Sequence, residues 1–189
     1  CRQRRNREGV LFAEGYGSVS SIALDPIEKK PLYHFHPGRN ILSIGGLGCN
    51  LKCRFCQNWR IAHARRPTSY IEPEHIVDRA LELGSLGIAY TYNEPLIGYE
   101  YVYDTAKLAR KSGLKNVLVT NGFINREPHE KLLPYIDAMN IDVKAFNDNF
   151  YRNICAGSLG SVKETVEISA AVCHVEVTTL IIPGMNDDE

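Results

Sequence analysis

Short apolar segments alternate with longer segments of helical periodicity along most of this sequence of 189 residues. The apolar segments predict strands at Asn40–Ile44, Gly87–Tyr92, Asn116–Thr120, Met139–Val143 and Val175–Ile182. The segments between them predict helices at Pro73–Leu83, Tyr99–Lys111, Arg126–Tyr135 and Ser161–Ala171. Strict alternation of strand and helix is typical of a parallel sheet, and continuously apolar strands suit a sheet covered on both faces. The chain is therefore predicted to be α/β, either a doubly wound sheet or a closed or partial barrel.

The first part of the chain lacks this alternation. Its short apolar or β-branched runs predict strands at Val10–Ala13, Ser18–Leu24 and Leu32–His36. We therefore expect an N-terminal β extension over residues 1–39 and the barrel or sheet over residues 40–189. The sequence does not begin with methionine and stops soon after the last predicted strand, so we expect a chain that is truncated at both ends.

The composition argues against several classes of partner. The 22 basic and 22 acidic residues cancel, so the chain lacks the positive charge that is typical of nucleic-acid binding. No run of about 18 apolar residues occurs, and no apolar region of a secretion signal follows the basic start. The sequence thus predicts a cytoplasmic protein with neither a membrane nor a nucleic-acid partner. Cytoplasmic cysteines stay reduced, so a tight group of them is more often a metal site than a set of disulfides.

Three cysteines follow the first strand of the predicted barrel. Cys49, Cys53 and Cys56 have the spacing C-x3-C-x2-C. Three thiolates on such a loop can bind three irons of a [4Fe–4S] cluster and leave the fourth iron without a protein ligand. Two alternatives stay open from the spacing alone. One is a zinc site that takes His36 or His63 as its fourth ligand, and the other is a thioredoxin-like pair formed by the last two cysteines.

Polar residues lie where three of the predicted strands end. Asn93-Glu94 follows the second strand, Thr120-Asn121 ends the third, and Asp142 and Lys144 lie at the end of the fourth. The carboxyl ends of parallel strands meet at one edge of a barrel, where the connecting loops form the active site. We therefore expect these side chains to converge on the cysteine loop.

The segment Gly48–Trp59, with Phe55 just before the third cysteine, resembles the cluster loop of radical S-adenosylmethionine (SAM) enzymes. Asn93-Glu94-Pro95 resembles their GGE motif with both glycines replaced, and Thr120-Asn121-Gly122 resembles their third-strand motif. Asp142-Val143-Lys144 matches the D-x-K of glycyl-radical-enzyme activases. The resemblance implies a partial parallel (β/α) barrel of radical SAM type.

The resemblance also implies two cofactors, a [4Fe–4S] cluster and SAM. The expected cluster ligands are Cys49, Cys53 and Cys56. The expected SAM-binding residues are Phe55, Asn93, Glu94, Thr120, Asn121, Asp142 and Lys144. Among these, Glu94 suits the ammonium of SAM and Lys144 suits its carboxylate, whereas Thr120 and Asn121 suit the ribose hydroxyls.

A narrower resemblance covers most of the chain. The segments Asp25–Gly38, Cys56–Trp59, Tyr92–Pro95 and Leu180–Asp187 are similar to the radical SAM component of the AmmeMemoRadiSam system, a family related to pyruvate formate-lyase activating enzyme. Cys1 resembles the last of the cysteines that this family carries upstream. The resemblance implies an oxidoreductase that cleaves SAM reductively to methionine and a 5′-deoxyadenosyl radical, with an electron donor such as flavodoxin or ferredoxin. The radical would abstract hydrogen from a protein or small-molecule substrate that the resemblance does not identify.

Two other functions stay open. A glycyl-radical-enzyme activase of the pyruvate formate-lyase type is favoured by Asn58 and by Asp142-Val143-Lys144. It is disfavoured by Trp59, where activases usually have proline, and by the Asp25–Gly38 segment. The second is a non-enzymatic iron–sulfur or zinc module. Such a module needs no SAM site, so the polar residues at the strand ends argue against it.

Several residues outside these motifs are interpreted as structural. Cys155 and Cys173 are expected to be packing residues, because free cysteine is commonly buried. Trp59 is interpreted as packing beside the cluster. Glu176 and Thr178 are expected to share one face of the last strand, because side chains alternate along a strand.

Overall fold

The computed structural model describes residues 3–64 and 66–187, so Cys1 and its expected metal site lie outside the described residues. The strands are β1 (Arg4–Arg7), β2 (Val10–Ala13), β3 (Ser18–Val19), β4 (Ser21–Pro26), β5 (Asn40–Gly45), β6 (Ser69–Tyr70), β7 (Gly87–Tyr90), β8 (Lys115–Thr120), β9 (Ala138–Asp142) and β10 (His174–Thr178). The helices are α1 (Trp59–Ala62), α2 (Pro73–Glu82), α3 (Tyr99–Lys111), α4 (Arg126–Leu132), α5 (Asp148–Phe150) and α6 (Leu159–Ala170). A π-helical turn, Tyr151–Cys155, follows α5 directly.

The main sheet of the described residues has six strands in the order β10-β9-β8-β7-β5-β4. All pairs from β5 to β10 are parallel, with α2, α3, α4 and α6 in the connections. This confirms the predicted α/β fold with a mostly parallel sheet. Within the described ranges neither edge strand, β4 or β10, has a second neighbour, as expected for a partial barrel. None of the helices in these ranges combines the length and apolar character that a bilayer-spanning helix needs.

One face of the sheet packs against the helices. Leu42 and Ile44 of β5 and Ile88 of β7 point to this face, because side chains alternate along a strand. Helix α2 turns Ile76 and Ala80 towards them, since residues four apart share one side of a helix. The resulting apolar cluster holds the strands in register and so fixes where the strand ends lie.

The opposite face, here called the inner face, is covered by residues 27–38. Ile27 and Leu32 of this segment are fully buried and pack against Ile41 and Val117 of the sheet. A parallel sheet buried on both faces explains why its strands are continuously apolar in the sequence.

The segment predicted as a strand at Leu32–His36 is irregular, so that prediction is wrong. Its backbone bonds to a side chain instead of to a neighbouring strand. The two carboxylate oxygens of Glu176 accept from the N–H groups of Tyr33 and His34, at 2.9 Å each. Burial favours protonation of Glu176, but these bonds and a further one with the His174 side chain outweigh it and lower its pKa to about 2. A long-range contact of this kind leaves no periodic pattern in the sequence.

The last strand is shorter than predicted, because β10 ends at Thr178 rather than at Ile182. Glu176 and Thr178 lie on the inner face, and the Thr178 hydroxyl accepts from Asn140 Nδ2 at 2.6 Å. The chain after Thr178 is irregular and includes a turn at residues 182–186. In this turn Asn186 Oδ1 accepts from the Ile182 N–H at 2.6 Å.

The predicted N-terminal extension shares the main sheet through β4, which pairs with β5 in antiparallel register. Strands β1 and β2 form a separate hairpin, and Arg4 of this hairpin donates to Glu100 of α3 at 2.6 Å. The division of the chain into residues 1–39 and 40–189 stays a prediction.

A buried ion pair lies on the inner face, between Asp25 of β4 and Lys30. The Lys30 ammonium donates to Asp25 Oδ2 at 2.8 Å, and the Lys30 side chain is only 2% exposed. Tyr92 Oη donates to the same oxygen at 2.6 Å, and the Lys30 ammonium lies 4.8 Å from the Tyr92 ring centroid. Burial favours protonation of Asp25, but the bonds from Lys30 and Tyr92 outweigh it and lower its pKa. The pair gives the Lys30 position a structural role that the sequence did not indicate.

We expect Asp25→Asn to lower the free energy of unfolding by about 3 kcal/mol, because it leaves the buried Lys30 ammonium without its counter-charge. The double variant D25N/K30M should recover most of this loss, since it removes the unpaired charge as well. Chemical denaturation of the full-length protein measures both. The matched control is Glu127→Gln, which breaks the exposed pair between Glu127 and Lys131 and should cost much less. Equal losses in D25N and E127Q would contradict the account.

Candidate active site

The cysteine loop follows β5 at the carboxyl edge of the sheet. Leu51, in its middle, is 1% exposed and anchors the loop in the main apolar cluster. The backbone N–H groups of Lys52 and Arg54 donate to the carbonyls of Cys155 (2.7 Å) and Ile154 (3.2 Å) in the π-helical turn. The loop conformation is therefore fixed by contacts within the protein.

The thiols of Cys49, Cys53 and Cys56 are partly buried in this loop. Burial raises the pKa of Cys49 to about 12 and also raises the pKa of Cys56. A hydrogen bond with the Cys155 thiol, together with burial, raises the pKa of Cys53. Bound iron reverses this balance, because a metal ion deprotonates the thiols that coordinate it. The donor set fits an iron–sulfur cluster, whose usual ligands are cysteine thiolates.

The zinc alternative that uses His36 fits the described residues less well. Within them, no three Cys, His, Asp or Glu side chains converge closely enough to hold a single metal ion. A cluster does not need such convergence, because each cysteine ligates a different iron. His36 packs on Phe35, whose ring lies 5.6 Å from His174 at the start of β10. This places His36 towards the opposite edge of the sheet from the cysteines.

Glu94 joins the ends of β7 and β8. Its Oε1 accepts from the Thr120 hydroxyl (2.8 Å) and the Leu96 N–H (3.1 Å), and its Oε2 accepts from the Asn121 N–H (2.8 Å). Glu94 is 4% exposed, and burial raises its pKa although these bonds act in the opposite direction. The carboxylate therefore stabilises the edge of the sheet, and its predicted contact with the ammonium of SAM stays a prediction.

Asn93 links the end of β7 to the residues that precede the cysteine loop. Its Oδ1 accepts from the Gly46 N–H at 2.9 Å, and its Nδ2 donates to the Gly48 carbonyl at 3.1 Å. When the GGE motif is aligned on Glu94, Tyr92 and Asn93 stand at the positions of its two glycines. Tyr92 has a φ of 71°, in the left-handed region that favours glycine. Its ring then reaches across the inner face to Asp25.

Thr120 and Asn121 end β8 beside the cysteine loop, and both are nearly buried, at 3% and 7% exposed. The Thr120 hydroxyl donates to Glu94, as described above. Asn121 Nδ2 donates to Asn50 Oδ1 at 2.9 Å and to the Cys49 sulfur at 3.5 Å. Both side chains are thus committed to contacts within the protein, and their predicted ribose contacts stay predictions.

Asp142 and Lys144 form an ion pair at the end of β9. Burial lowers the pKa of Lys144, but the neighbouring Asp142 carboxylate outweighs it and the net effect is a raised pKa. Asp142 Oδ1 is buried and has no hydrogen-bond partner among the described residues. Buried acceptors in folded proteins nearly always have a partner. This oxygen therefore fits a donor from a bound molecule, such as the ammonium or a hydroxyl of SAM.

The Phe55 side chain extends from the cysteine loop towards the end of β9. Its ring centroid is 5.9 Å from that of Phe150 and 6.0 Å from the Lys144 ammonium. Trp59 is 54% exposed, so its interpretation as a packed residue is wrong. The short helix α1 buries Ile61–Ala62 and leaves Trp59 on the other side.

The structure thus brings the predicted site residues together at the carboxyl edge of the sheet, and their assignments to ligands stay predictions. Sequence reasoning missed the contacts of Asn50, which donates to the Phe123 carbonyl at 2.5 Å. It also treated Cys155 only as a packing residue, and Cys155 is fully buried but contacts Cys53 as well. Both contacts join segments that are distant in the sequence, so no local pattern could have indicated them.

The chain belongs to the Radical SAM superfamily, whose family model matches residues 43–189. Enzymes of this superfamily use a [4Fe–4S] cluster and SAM. The α/β fold with its mostly parallel sheet is the radical SAM fold.

Several relatives of the chain are longer than the chain itself. Over its whole length the chain is 47% identical to the uncharacterized protein MJ0808 of Methanocaldococcus jannaschii and covers 57% of that protein. Over 75% of its length it is 25% identical to pyruvate formate-lyase 1-activating enzyme of Escherichia coli and covers 61% of that enzyme. A solved structure of TYW1 with a lysine-pyruvate adduct bound matches 77% of the chain and 57% of that protein, with a TM-score of 0.56 and 23% identity. The chain thus spans less than two thirds of the length of these proteins.

We expect the full-length protein, reconstituted without oxygen, to lose its cluster absorbance when Cys49, Cys53 or Cys56 is replaced by alanine. Each thiolate is the only protein ligand of one iron, so no neighbouring residue replaces it. Iron analysis and visible absorption measure the loss. The matched controls are Cys155→Ala and Cys173→Ala, which should retain the cluster. A colourless protein with one tightly held zinc would contradict the assignment.

Proposed function

We propose that this chain contains the catalytic core of a radical SAM enzyme that binds a [4Fe–4S] cluster through Cys49, Cys53 and Cys56 and cleaves SAM reductively. The observation that carries the proposal is one buried acceptor, Asp142 Oδ1, which has no partner among the described residues. It lies beside Lys144, at the edge of the sheet that presents the three thiols. A non-enzymatic iron–sulfur or zinc module needs no SAM site, so an acceptor that is available to SAM favours the enzyme.

The residues at this edge match the groups of SAM. Lys144 pairs with the carboxylate, and Asp142 Oδ1 accepts from the ammonium or from a ribose hydroxyl. Glu94 also faces the ammonium, although three hydrogen bonds from the chain already use much of its accepting capacity. Thr120 and Asn121 border the ribose. Asn93 and Phe55 shape the site from the sides, through their contacts with the cysteine loop and with Lys144.

When bound, the cluster and SAM supply the one-electron cleavage of a carbon–sulfur bond that yields methionine and a hydrogen-abstracting 5′-deoxyadenosyl radical. The chain contributes binding, orientation and exclusion of water. Lys144 and Asp142 bind one end of SAM. The buried hydrogen bonds of Glu94 hold the ends of β7 and β8 in place. Residues 27–38 close the inner face, so that it is shielded from bulk solvent.

Further features of the proposal follow from the AmmeMemoRadiSam resemblance. We propose that the protein belongs to that subgroup, acts in the cytoplasm and receives electrons from a flavodoxin or ferredoxin. The structure supports the subgroup through the segment Asp25–Gly38, because residues of its sequence signature form the buried pair of Asp25 and Lys30.

The inner face favours a small-molecule substrate over a protein loop. The Tyr92 ring lies close against β5, since a Cβ added to Gly45 would lie 2.9 Å from Tyr92 Cδ2. Residues 27–38 cover the far end of the same face. Narrow sites lined by aromatic and apolar residues are typical of small ligands. Activation of a glycyl-radical enzyme stays the second candidate, which the Asp142–Lys144 pair and the similarity to the Escherichia coli activating enzyme support.

We expect the full-length protein, anaerobically reconstituted and reduced, to form 5′-deoxyadenosine and methionine from SAM without added substrate. Lys144→Met should weaken SAM binding by about 1.5–3 kcal/mol, the usual size of a hydrogen bond to a charged group, while the cluster remains. Equilibrium dialysis with labelled SAM measures the affinity, and chromatography measures the products.

The matched control for this experiment is Lys163→Met, which removes an exposed lysine on α6 and should leave SAM affinity unchanged. Loss of affinity in K144M but not in K163M supports the placement of SAM beside β9. An intact, reduced cluster that never cleaves SAM would overturn the proposed function and favour an electron-transfer module.

We further expect that the full-length enzyme will not install a glycyl radical on pyruvate formate-lyase, because Tyr92 and residues 27–38 narrow the space that a protein loop would need. The two proteins are mixed with SAM and a reductant under argon, and the electron paramagnetic resonance spectrum is recorded. The doublet of a glycyl radical would establish the activase function and contradict the small-molecule proposal.

A further inference from the structure

Asn121 donates a side-chain hydrogen bond to the sulfur of Cys49, one of the three expected cluster ligands. We propose that Asn121 is a positioning residue that raises the reduction potential of the cluster through this N–H···S contact. The inference rests on the proposed function, because it assumes that Cys49 ligates a [4Fe–4S] cluster. It concerns the cluster itself and differs from the ribose contact that the sequence indicates for Asn121.

The hydrogen-bond network fixes which end of the Asn121 amide faces the sulfur. The Phe123 N–H can only donate, and it lies 2.8 Å from Asn121 Oδ1, which must therefore be the oxygen. The Phe123 carbonyl can only accept, and it takes Asn50 Nδ2 at 2.5 Å, so the other end of Asn50 is also an oxygen. Of the two Asn121 amide hydrogens, one then goes to Asn50 Oδ1 and the other to the Cys49 sulfur.

The donor is held rigidly. Asn121 is 7% exposed, and its backbone N–H donates to Glu94 Oε2 at 2.8 Å. Its side-chain oxygen is fixed by Phe123, as described above. The amide hydrogen is therefore directed at the Cys49 sulfur by contacts that involve only the protein. A preoriented dipole of this kind acts at full strength on the charge of the neighbouring group.

A hydrogen bond to a ligating sulfur stabilises the more negative, reduced state of a cluster more than the oxidised state. Reduction potentials of iron–sulfur clusters are set in part by such bonds. All three thiols have other contacts as well, since the backbone N–H groups of Leu51 and Asn58 bond to Cys49 and Cys56, and Cys53 faces the Cys155 thiol. Among the described residues, Asn121 supplies the side-chain N–H donor to these sulfurs. Its removal should therefore change the potential without removing a ligand.

The experiment is a redox titration of the full-length, anaerobically reconstituted protein in the absence of SAM, followed by electron paramagnetic resonance of the reduced cluster. In Asn121→Ala we expect the ratio of reduced to oxidised cluster at a fixed potential to fall about tenfold, which corresponds to a midpoint about 59 mV more negative for a one-electron couple. Asn121→Leu has a similar volume but no N–H and no added charge, and it should shift the midpoint in the same direction. Asn153→Ala, an exposed position in the π-helical turn, is the control and should match the wild type.

The outcomes separate this inference from the proposed function. Unchanged midpoints in both Asn121 variants, with four irons retained, would overturn the inference and leave the proposed function intact. Weaker SAM binding with an unchanged midpoint would assign Asn121 to the ribose instead. Loss of the cluster in both variants would assign Asn121 to the folding of the loop and would also count against the inference. A wild-type protein that assembles no cluster would overturn both.

Discussion

The carboxylate of Glu94 is the contact on which the carboxyl edge of the sheet depends. It is buried, and it accepts hydrogen bonds from Leu96, Thr120 and Asn121. Burial of a charge without partners costs several kcal/mol, whereas each hydrogen bond to a charged group contributes about 1.5–3 kcal/mol. Because two of the three donors belong to the end of β8, the charge fixes that end relative to β7. Asn121 then extends the same network to Cys49, so one buried charge positions both the strand ends and the cysteine loop.

A second constraint comes from Tyr92, which adopts a left-handed conformation where the related GGE motif has glycine. A non-glycine residue in this region carries a strain of about 1–3 kcal/mol. The side chain gives a reason for the substitution, because its hydroxyl bonds to Asp25 and its ring covers the Lys30 ammonium. Glycine at this position would be unstrained, but the pair of Asp25 and Lys30 would then lose its contacts with the Tyr92 side chain. The same contact links the N-terminal segment to the strand that precedes Glu94.

Sequence reasoning predicted the elements whose signals are local. The helix at Tyr99–Lys111 has the predicted bounds, and the parallel order of strands follows from the alternation of helix and strand. The irregular course of Leu32–His36 was not predictable, because Glu176 bonds to its backbone from a distant strand. The apolar pattern of this segment is typical of a strand, but its apolar side chains are buried because the segment covers the sheet. The same reason applies to β4, whose place beside β5 depends on a pairing that no local pattern specifies.

The candidate site also has features that the sequence predicts and features that it does not. Its cysteines and polar strand ends were predictable, since parallel topology brings the carboxyl ends of strands to one edge. The partners of those side chains were not predictable. Sequence chemistry assigns Thr120 and Asn121 to a ligand, whereas in the structure their polar groups bond to Glu94, Asn50 and Cys49. A sequence shows which groups a side chain carries, and only the fold determines which neighbours use them.

The central claim is that three cysteines hold a cluster whose fourth iron binds SAM. Electron–nuclear double resonance on the reduced full-length protein tests it most directly, with SAM that carries ¹⁷O in its carboxylate and ¹⁵N in its amino group. Hyperfine coupling of at least one label to the cluster is the expected result, because SAM would bind at the iron that lacks a protein ligand. A reduced cluster that shows neither coupling at saturating SAM would contradict it.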